Sequence, residues 1–372
     1  AEDGIRDVER SRGLGDVYKR QYLHHVRVAV CTSDRSVSLQ LVARDVADVL
    51  RSKGHLVDIH LFAAADPSLF KKYDSWLTVM TFDVVWATPY FFVTRSAKTH
   101  GLRSLFYATI EGKPWGLWAR EWIARDLEFV ACSRYVKRKL SEAGAKVVAV
   151  VYHGIRPEEY EIAKSLGNIM RRKLGFSERD FVVAYVAADY PRKGHNLFAE
   201  VCRIVEQKDP SIKFVIATKA DALEHYAGCG NVIALDWFGK APRTDIIALY
   251  GACDLYAQAS LAEGFGLPVL EALASGKPII HPDYEPLSEI TDADTSFRVP
   301  VKAVIDYRDT SPTMGGIMYE HHMYDPTEFA DILLQAKEEV LRRREELEQI
   351  CRARARLFDA RRLYTRFEAL LR

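Results

Sequence analysis

Two series of short apolar runs, each separated from the next by a segment of helical periodicity, constrain the fold of this chain more than any single motif does. In the second series FVVAYVA at 181–187, KFVIAT at 213–218, NVIALD at 231–236 and DLYAQAS at 254–260 read as strands, with helices over 196–206 and 242–251. Continuous apolar strands of this length are buried on both faces, which requires a parallel sheet with helices packed on each side. The first series behaves alike. VRVAVCT begins at Val26, a helix opens at Ser36-Val37-Ser38 and runs through Leu39, Val42, Val46 and Leu50, Gly54 ends it, and HLVDIHLF follows. FDVVWA at 82–87, SLFYATI at 104–110 and the segments 129–132 and 147–152 read as further strands. A last strand pair is expected at 278–281 and 297–301, residues 302–326 are mixed in pattern, and a long helical run extends from Pro326 to the C-terminus. The reading is α/β, with two Rossmann-like domains over 22–152 and 153–340 and a C-terminal helix over 341–372. Residues 1–21 lack a core-facing pattern and read as a non-native or disordered extension.

The stretch ASLAEGFGLPVLEALASGKP, residues 259–278, carries the chemistry. Gly264-Phe265-Gly266 form a turn, Leu267 and Pro268 start a helix, and Gly276 stops it. The free amides of Phe265, Gly266 and Leu267 would face an anion, helped by the helix dipole. Glu263 stands before the turn and Glu271 beyond it. Two glutamates eight apart are by themselves a solvated helix face. Here an anion site lies between them, which suits a phosphorylated ligand that also carries hydroxyls.

The pattern D-L-Y-x-x-x-S-x-x-E-G-F-G-L-P-x-x-E-A-x-A-x-G-K-P-I-I, from Asp254 to Ile280, resembles the E-(x)7-E motif of retaining GT-B-fold glycosyltransferases of the group 1 type, which use nucleotide sugars. The resemblance implies a GT-B fold of two facing Rossmann-like domains with a C-terminal bridging helix. It implies that Glu263 contacts the donor sugar and Glu271 the nucleotide ribose. It also implies transfer of a hexose-type sugar to an acceptor hydroxyl, with a nucleoside-diphosphate sugar as donor substrate. No His/Cys cluster has ligand spacing, and Lys193 with a helix N-terminus is placed to meet the phosphate charge, so no metal or other cofactor is expected.

Other segments take their place from this frame. Tyr190-Pro191-Arg192-Lys193-Gly194-His195 follows the 181–187 strand, where ligands of parallel sheets gather. Lys193 would offer a point charge to a diphosphate, and Arg192 a second. The family often has Gly-Arg where Ala187-Ala188 stand here, so Arg192 is read as a substitute. Glu111, at the end of the 104–110 strand, stands where many relatives have a histidine; it is a candidate for orienting or deprotonating an acceptor hydroxyl, beside the plainer reading of a loop carboxylate. His153-Gly154-Ile155-Arg156 resembles the family's interdomain junction with Arg156 replacing an aspartate, and His153 reads as a hinge residue rather than a catalyst. His100 lies in a basic, aromatic-flanked stretch that reads as a helix or an acceptor surface. Asp292-Ala293-Asp294 spells D-x-D but reads as a surface turn.

Composition excludes whole classes. A net charge of +1 gives no bulk attraction to nucleic acid. Residues 22–150 carry 18 Lys/Arg against 12 Asp/Glu, and 151–372 carry 29 against 34, so the first half could face an anionic acceptor or membrane surface, beside the plainer reading of ordinary surface scatter. Six cysteines without paired spacing suggest a reduced, cytoplasmic protein, with peripheral contact at the inner membrane face as an added reading. The ten arginines of 340–372 sit on a helical pattern read as packed on the domains, with a membrane-surface or partner helix as the alternative. Two rivals to a glycosyltransferase stand beside it: a GT-B-fold nucleotide-sugar epimerase, and a non-catalytic sugar-nucleotide-binding or assembly protein.

Overall fold

The computed structural model describes residues 25–62, 66–309 and 316–372, so the reading of residues 1–21 lies outside it. Strands are β1 Arg27–Thr32, β2 Leu56–His60, β3 Ser75–Thr81, β4 Arg103–Thr109, β5 Gly112–Pro114, β6 Glu128–Ala131, β7 Lys146–Val150, β8 Phe181–Val186, β9 Ile212–Thr218, β10 Val232–Asp236, β11 Leu255–Ala257, β12 Ile279–Pro282, β13 Ser296–Val299, β14 Val301–Tyr307 and β15 Ile317–Tyr324. The first sheet has the order β2-β1-β3-β4-β6-β7 and the second β10-β9-β8-β11-β12-β13. All pairings within both are parallel. Helices flank each sheet, and the two domains face each other in the GT-B arrangement.

The strand order decides where a ligand can sit. The second sheet runs outward in both directions from β8 and β11, so the loops after these two strands diverge and leave a crevice at their carboxyl ends. Both strands are fully buried, as their continuous apolar character required. The sequence-predicted helix at 36–54 forms as Val37–Ser52, with the Ser36 side chain accepting from the Leu39 amide.

Two expectations need correction, and one unassigned segment resolves. FDVVWA is not a strand: β3 is the preceding SWLTVMT, and a helix over Val84–Thr99 follows, with the Asp83 carboxylate accepting from the Trp86 amide at 3.1 Å. Both segments are apolar, and only the carboxylate at the helix start separates them physically. Within 302–326, β14 pairs antiparallel with β15, and β15 pairs with β5 of the first domain. The C-terminal run is not one helix but Pro326–Arg342, Arg344–Arg356, Ala360–Leu363 and Arg366–Leu370. Asp359 breaks it by bridging to Ile155 and capping Arg361, which turns the chain back to the first domain. There the Leu371 carbonyl accepts from the Ser75 hydroxyl and the Leu370 carbonyl from Arg103 Nε at 3.0 Å. Leu347, Tyr364, Phe367 and Leu371 of this bridge are buried. Leu357 is exposed instead, because it lies where the helix ends.

Candidate active site

The site begins with how the two diverging loops are tied. Pro191–Lys193 form a single helical turn closed by Gly194, and the Arg192 carbonyl accepts from the Leu261 amide at 2.7 Å. Tyr185, buried in β8, donates its hydroxyl to the Lys193 carbonyl at 2.6 Å and lies 3.2 Å from Ser260 Oγ. These bonds place Lys193 against Glu263, with the ammonium on Glu263 Oε1. Gln258 Nε2 donates to the same oxygen at 2.7 Å, and Arg192 Nη1 stands 3.7 Å from Glu263 Oε2. Arg192 Nη2 reaches across the cleft to Glu111 Oε1 at 3.1 Å. Sequence-predicted Glu111, Arg192, Lys193 and Glu263 are therefore one cluster, drawn from the ends of β4, β8 and β11.

All four side chains are at most 15% exposed, so solvent screens them little. Burial opposes ionisation of Glu263, yet Lys193 and Arg192 hold its carboxyl below the usual carboxylate range. Burial pulls the Lys193 ammonium below its ordinary value, against the attraction of Glu263. Burial acts the same way on Arg192, but Glu111 and Glu263 more than offset it and raise its pKa.

The turn after Glu263 is pressed against the first domain. A Cβ on Gly264 would lie 3.0 Å from the Ile110 amide nitrogen and carbonyl oxygen, so only glycine lets the backbones approach. The Gly264 carbonyl accepts from Ser133 Oγ at 3.1 Å. Phe265 packs edge-on against His153, ring centroids 5.0 Å apart. Gly266 precedes the helix Leu267–Ala274, with Pro268 in its first turn as expected. The amides of Phe265, Gly266 and Leu267 have no acceptor among the described residues.

Glu271 does not join this cluster. Its Oε2 accepts from the Tyr250 hydroxyl at 2.8 Å and its Oε1 pairs with Arg243 Nη2 at 2.6 Å. Arg243 also contacts the Tyr160 hydroxyl. Beside them a small cavity of about 20 Å³ is lined by Arg243, Leu267 and Glu271 of the second domain and by Val42 and Asp45 of the first. Sequence reasoning missed Gln258, Ser260, Arg243 and Tyr250. Gln258 and Ser260 follow β11 directly and were open to detection by position; Arg243, a lone basic residue after Pro242, carried no signal.

The remaining predicted groups lie outside the cluster of Glu111, Arg192, Lys193 and Glu263. His153 is buried, within 2.8 Å of the Tyr107 hydroxyl, and burial pushes its pKa down to about 3, so it is neutral. Arg156 pairs with Asp45 and Asp48 of the first domain at 2.8 and 2.6 Å. His100 lies just past the end of the Val84–Thr99 helix and shortly before β4, at the amino end of that strand, with Nδ1 on the Ser96 carbonyl. Asp292 closes a turn by accepting from the Thr295 amide at 3.0 Å. Among the described residues no His/Cys/Asp/Glu group could hold a metal, the six cysteines are buried and free, and no helix is long and apolar enough to cross a membrane.

Comparison with known proteins agrees with this fold. Residues 168–307 match the model of the family "Glycosyl transferases group 1". The chain is 28% identical over 351 residues to an uncharacterized glycosyltransferase of Sulfolobus islandicus rod-shaped virus 1, covering 92% of this chain and 99% of the viral protein. It is 30% identical over 125 residues to a D-inositol 3-phosphate glycosyltransferase of Salinispora arenicola, covering 30% of this chain and 28% of that one. Among solved structures, Anabaena HepE in complex with UDP and glucose superposes with a TM-score of 0.69 at 16% identity, covering 93% of this chain and 99% of that one. A sucrose-phosphate synthase from Thermosynechococcus elongatus gives 0.66 at 14% identity, covering 92% and 98%.

Proposed function

We propose that this GT-B-fold chain, a relative of the group 1 glycosyl transferases, moves a sugar from a nucleoside-diphosphate sugar to an acceptor hydroxyl with retention of anomeric configuration. The observation that carries this reading is the meeting of Lys193 and Glu263 at the switch point of the second sheet, facing Glu111 across the cleft. Lys193, Arg192 and the amides at 265–267 would hold the diphosphate. As the glycosidic C–O bond breaks, its electron pair leaves with the β-phosphate oxygen, and fixed positive charge there stabilises the developing anion. The acceptor oxygen attacks the same face, and its proton passes to the departing phosphate. Glu263 would bind hydroxyls of the transferred sugar, and Glu271 the ribose. Glu111, already paired with Arg192, is suited to orient the acceptor hydroxyl.

The first-domain surface supports a finer reading. Trp115, Trp118 and Phe92 are exposed aromatic residues, Phe92 and Trp118 in ring contact, and the aliphatic Leu117 between the two tryptophans in sequence is 80% exposed. Amphipathic rings of this kind settle at a lipid headgroup boundary, and we assign the peripheral membrane contact to them. Co-sedimentation with anionic vesicles, lost in Leu117→Ser/Trp118→Ser, tests it.

The activity test is incubation with UDP-, GDP- and ADP-sugars, with and without acceptors, following nucleoside diphosphate release and product anomers. Acceptor-dependent release with retained configuration is expected. Epimerised donor without acceptor would replace this reading by the epimerase. Binding without turnover would leave a sugar-nucleotide binder, and neither binding nor release would end it.

A further inference from the structure

The antiparallel pair β14–β15 brings a third wall to the cleft. β15 leaves the second domain and pairs antiparallel with β5, aligning Tyr319 with Gly112, the residue after Glu111. Tyr319 and His321 alternate onto one buried face of β15. Both end in polar atoms without a hydrogen-bond partner among the described residues: the Tyr319 hydroxyl and His321 Nε2. Arg192 Nε, on the guanidinium that contacts Glu111, is a third such atom. Tyr319 and His321 are 3% and 7% exposed. Leaving a polar atom buried and unpaired costs stability, and several on one wall mark a place where a ligand completes the bonding.

The opposite face of β15 is already committed, since Glu320 binds Tyr135 and Lys139 and His322 stacks on Tyr284. On β15 the unpaired atoms of Tyr319 and His321 share the face beside Glu111, while a further one, the Tyr324 hydroxyl, lies at the strand's end, where its ring packs against Phe329. His321 is fixed by its stack on Tyr307, ring centroids 4.4 Å apart. Burial, then the nearby Arg192 charge, push its pKa down to about 4, so its ring is neutral and Nε2 can donate or accept.

Resting on the transferase reading, we propose that Tyr319 and His321 form an acceptor subsite for a polyhydroxylated ligand, a sugar or sugar alcohol. The chemistry of the wall selects that class. Glu111 only accepts, Arg192 Nε only donates, and Tyr319 and His321 do either. Neighbouring hydroxyls of a polyol match all of these at once, whereas a carboxylate or phosphate would meet Glu111 with like charge. Both residues act by positioning the acceptor and belong to the second domain, so acceptor recognition is not confined to the first.

Tyr319→Phe removes one oxygen, and His321→Phe keeps the ring on Tyr307 while removing its nitrogens. Each is compared with wild type for KM of the best acceptor among methyl α-glucoside, methyl α-mannoside and myo-inositol, and for donor Kd by calorimetry, with folding checked by melting temperature. The acceptor KM should rise roughly 3- to 10-fold in each variant, the worth of one neutral hydrogen bond, with donor Kd nearly constant. An unchanged acceptor KM, or a donor Kd rising in parallel, overturns the proposal while leaving the transferase reading intact. Wild-type protein that turns over a donor but uses none of the three polyols overturns the ligand class. A chain that binds no nucleotide sugar fails the transferase reading, and this one with it.

Discussion

Glu263→Gln tests the electrostatics of the site most directly. The substitution keeps the side-chain volume and removes one charge from between Lys193 and Arg192. Removing one partner of a buried ion pair typically costs about 3–5 kcal/mol, because the other charge is left uncompensated. Two features place the loss at or below the lower end. Glu111 still neutralises Arg192, and Lys193, already drawn below its ordinary pKa by burial, can shed its proton. A cost of about 2–3 kcal/mol corresponds to a melting point lower by roughly 4–12 °C for a unit of this size. Thermal unfolding followed by circular dichroism measures it. UDP should then stabilise the variant more than the wild type, because diphosphate supplies the missing negative charge beside Lys193. The double variant Glu263→Gln/Lys193→Met should recover a good part of the loss. A single variant that melts with the wild type would refute the reasoning. So would UDP raising its melting point less than that of the wild type.

Four further outcomes follow from the same site. Lys193→Ala should weaken nucleoside diphosphate binding roughly 10- to 150-fold, the worth of a hydrogen bond to a charged group, and unchanged calorimetric affinity would show that the loop does not hold phosphate. Glu271→Gln should raise donor KM with little change in kcat, since ribose contacts alter little during transfer; the opposite split in steady-state kinetics would reverse the assignment of sugar and ribose ends. Transfer should survive EDTA, because Lys193, Arg192 and the turn amides already meet the phosphate charge; full loss restored by magnesium or manganese would refute this. His153, held at about 3, and His195, His281 and His321, each at about 4, lie below the ordinary imidazole value. The unfolded chain therefore binds more protons below about pH 6.5, so stability should fall with pH through that window, by roughly 2 kcal/mol per imidazole near pH 5; a melting point flat down to that pH would contradict it.

What could be read in the sequence was local. Ser36 capping, the runs that became β8, β9 and β11, and the Glu263–Gly276 stretch each carry their meaning within a few residues, where propensity and spacing act. The failures were non-local. SWLTVMT and FDVVWA are both short apolar runs, and their order in the fold depends on what pairs with them. β14 and β15 escaped notice because one partner, β5, lies some two hundred positions away, and because Val304 and Ile305 face solvent on an edge strand. Arg243 meets Glu271 only once two helices are in place. Charge pairs of that kind leave no periodic trace.

The strand pairing between β15 and β5 also bears on how the molecule can open. A GT-B protein joined only at its linker and C-terminal return could swing its halves apart like a clam. Here a third crossing is stitched by backbone bonds, and it borders the cleft at Glu111. Unzipping Ile317–Tyr319 from Gly112–Pro114 would be needed for a wide gape, so any breathing of the halves must pivot about that ladder.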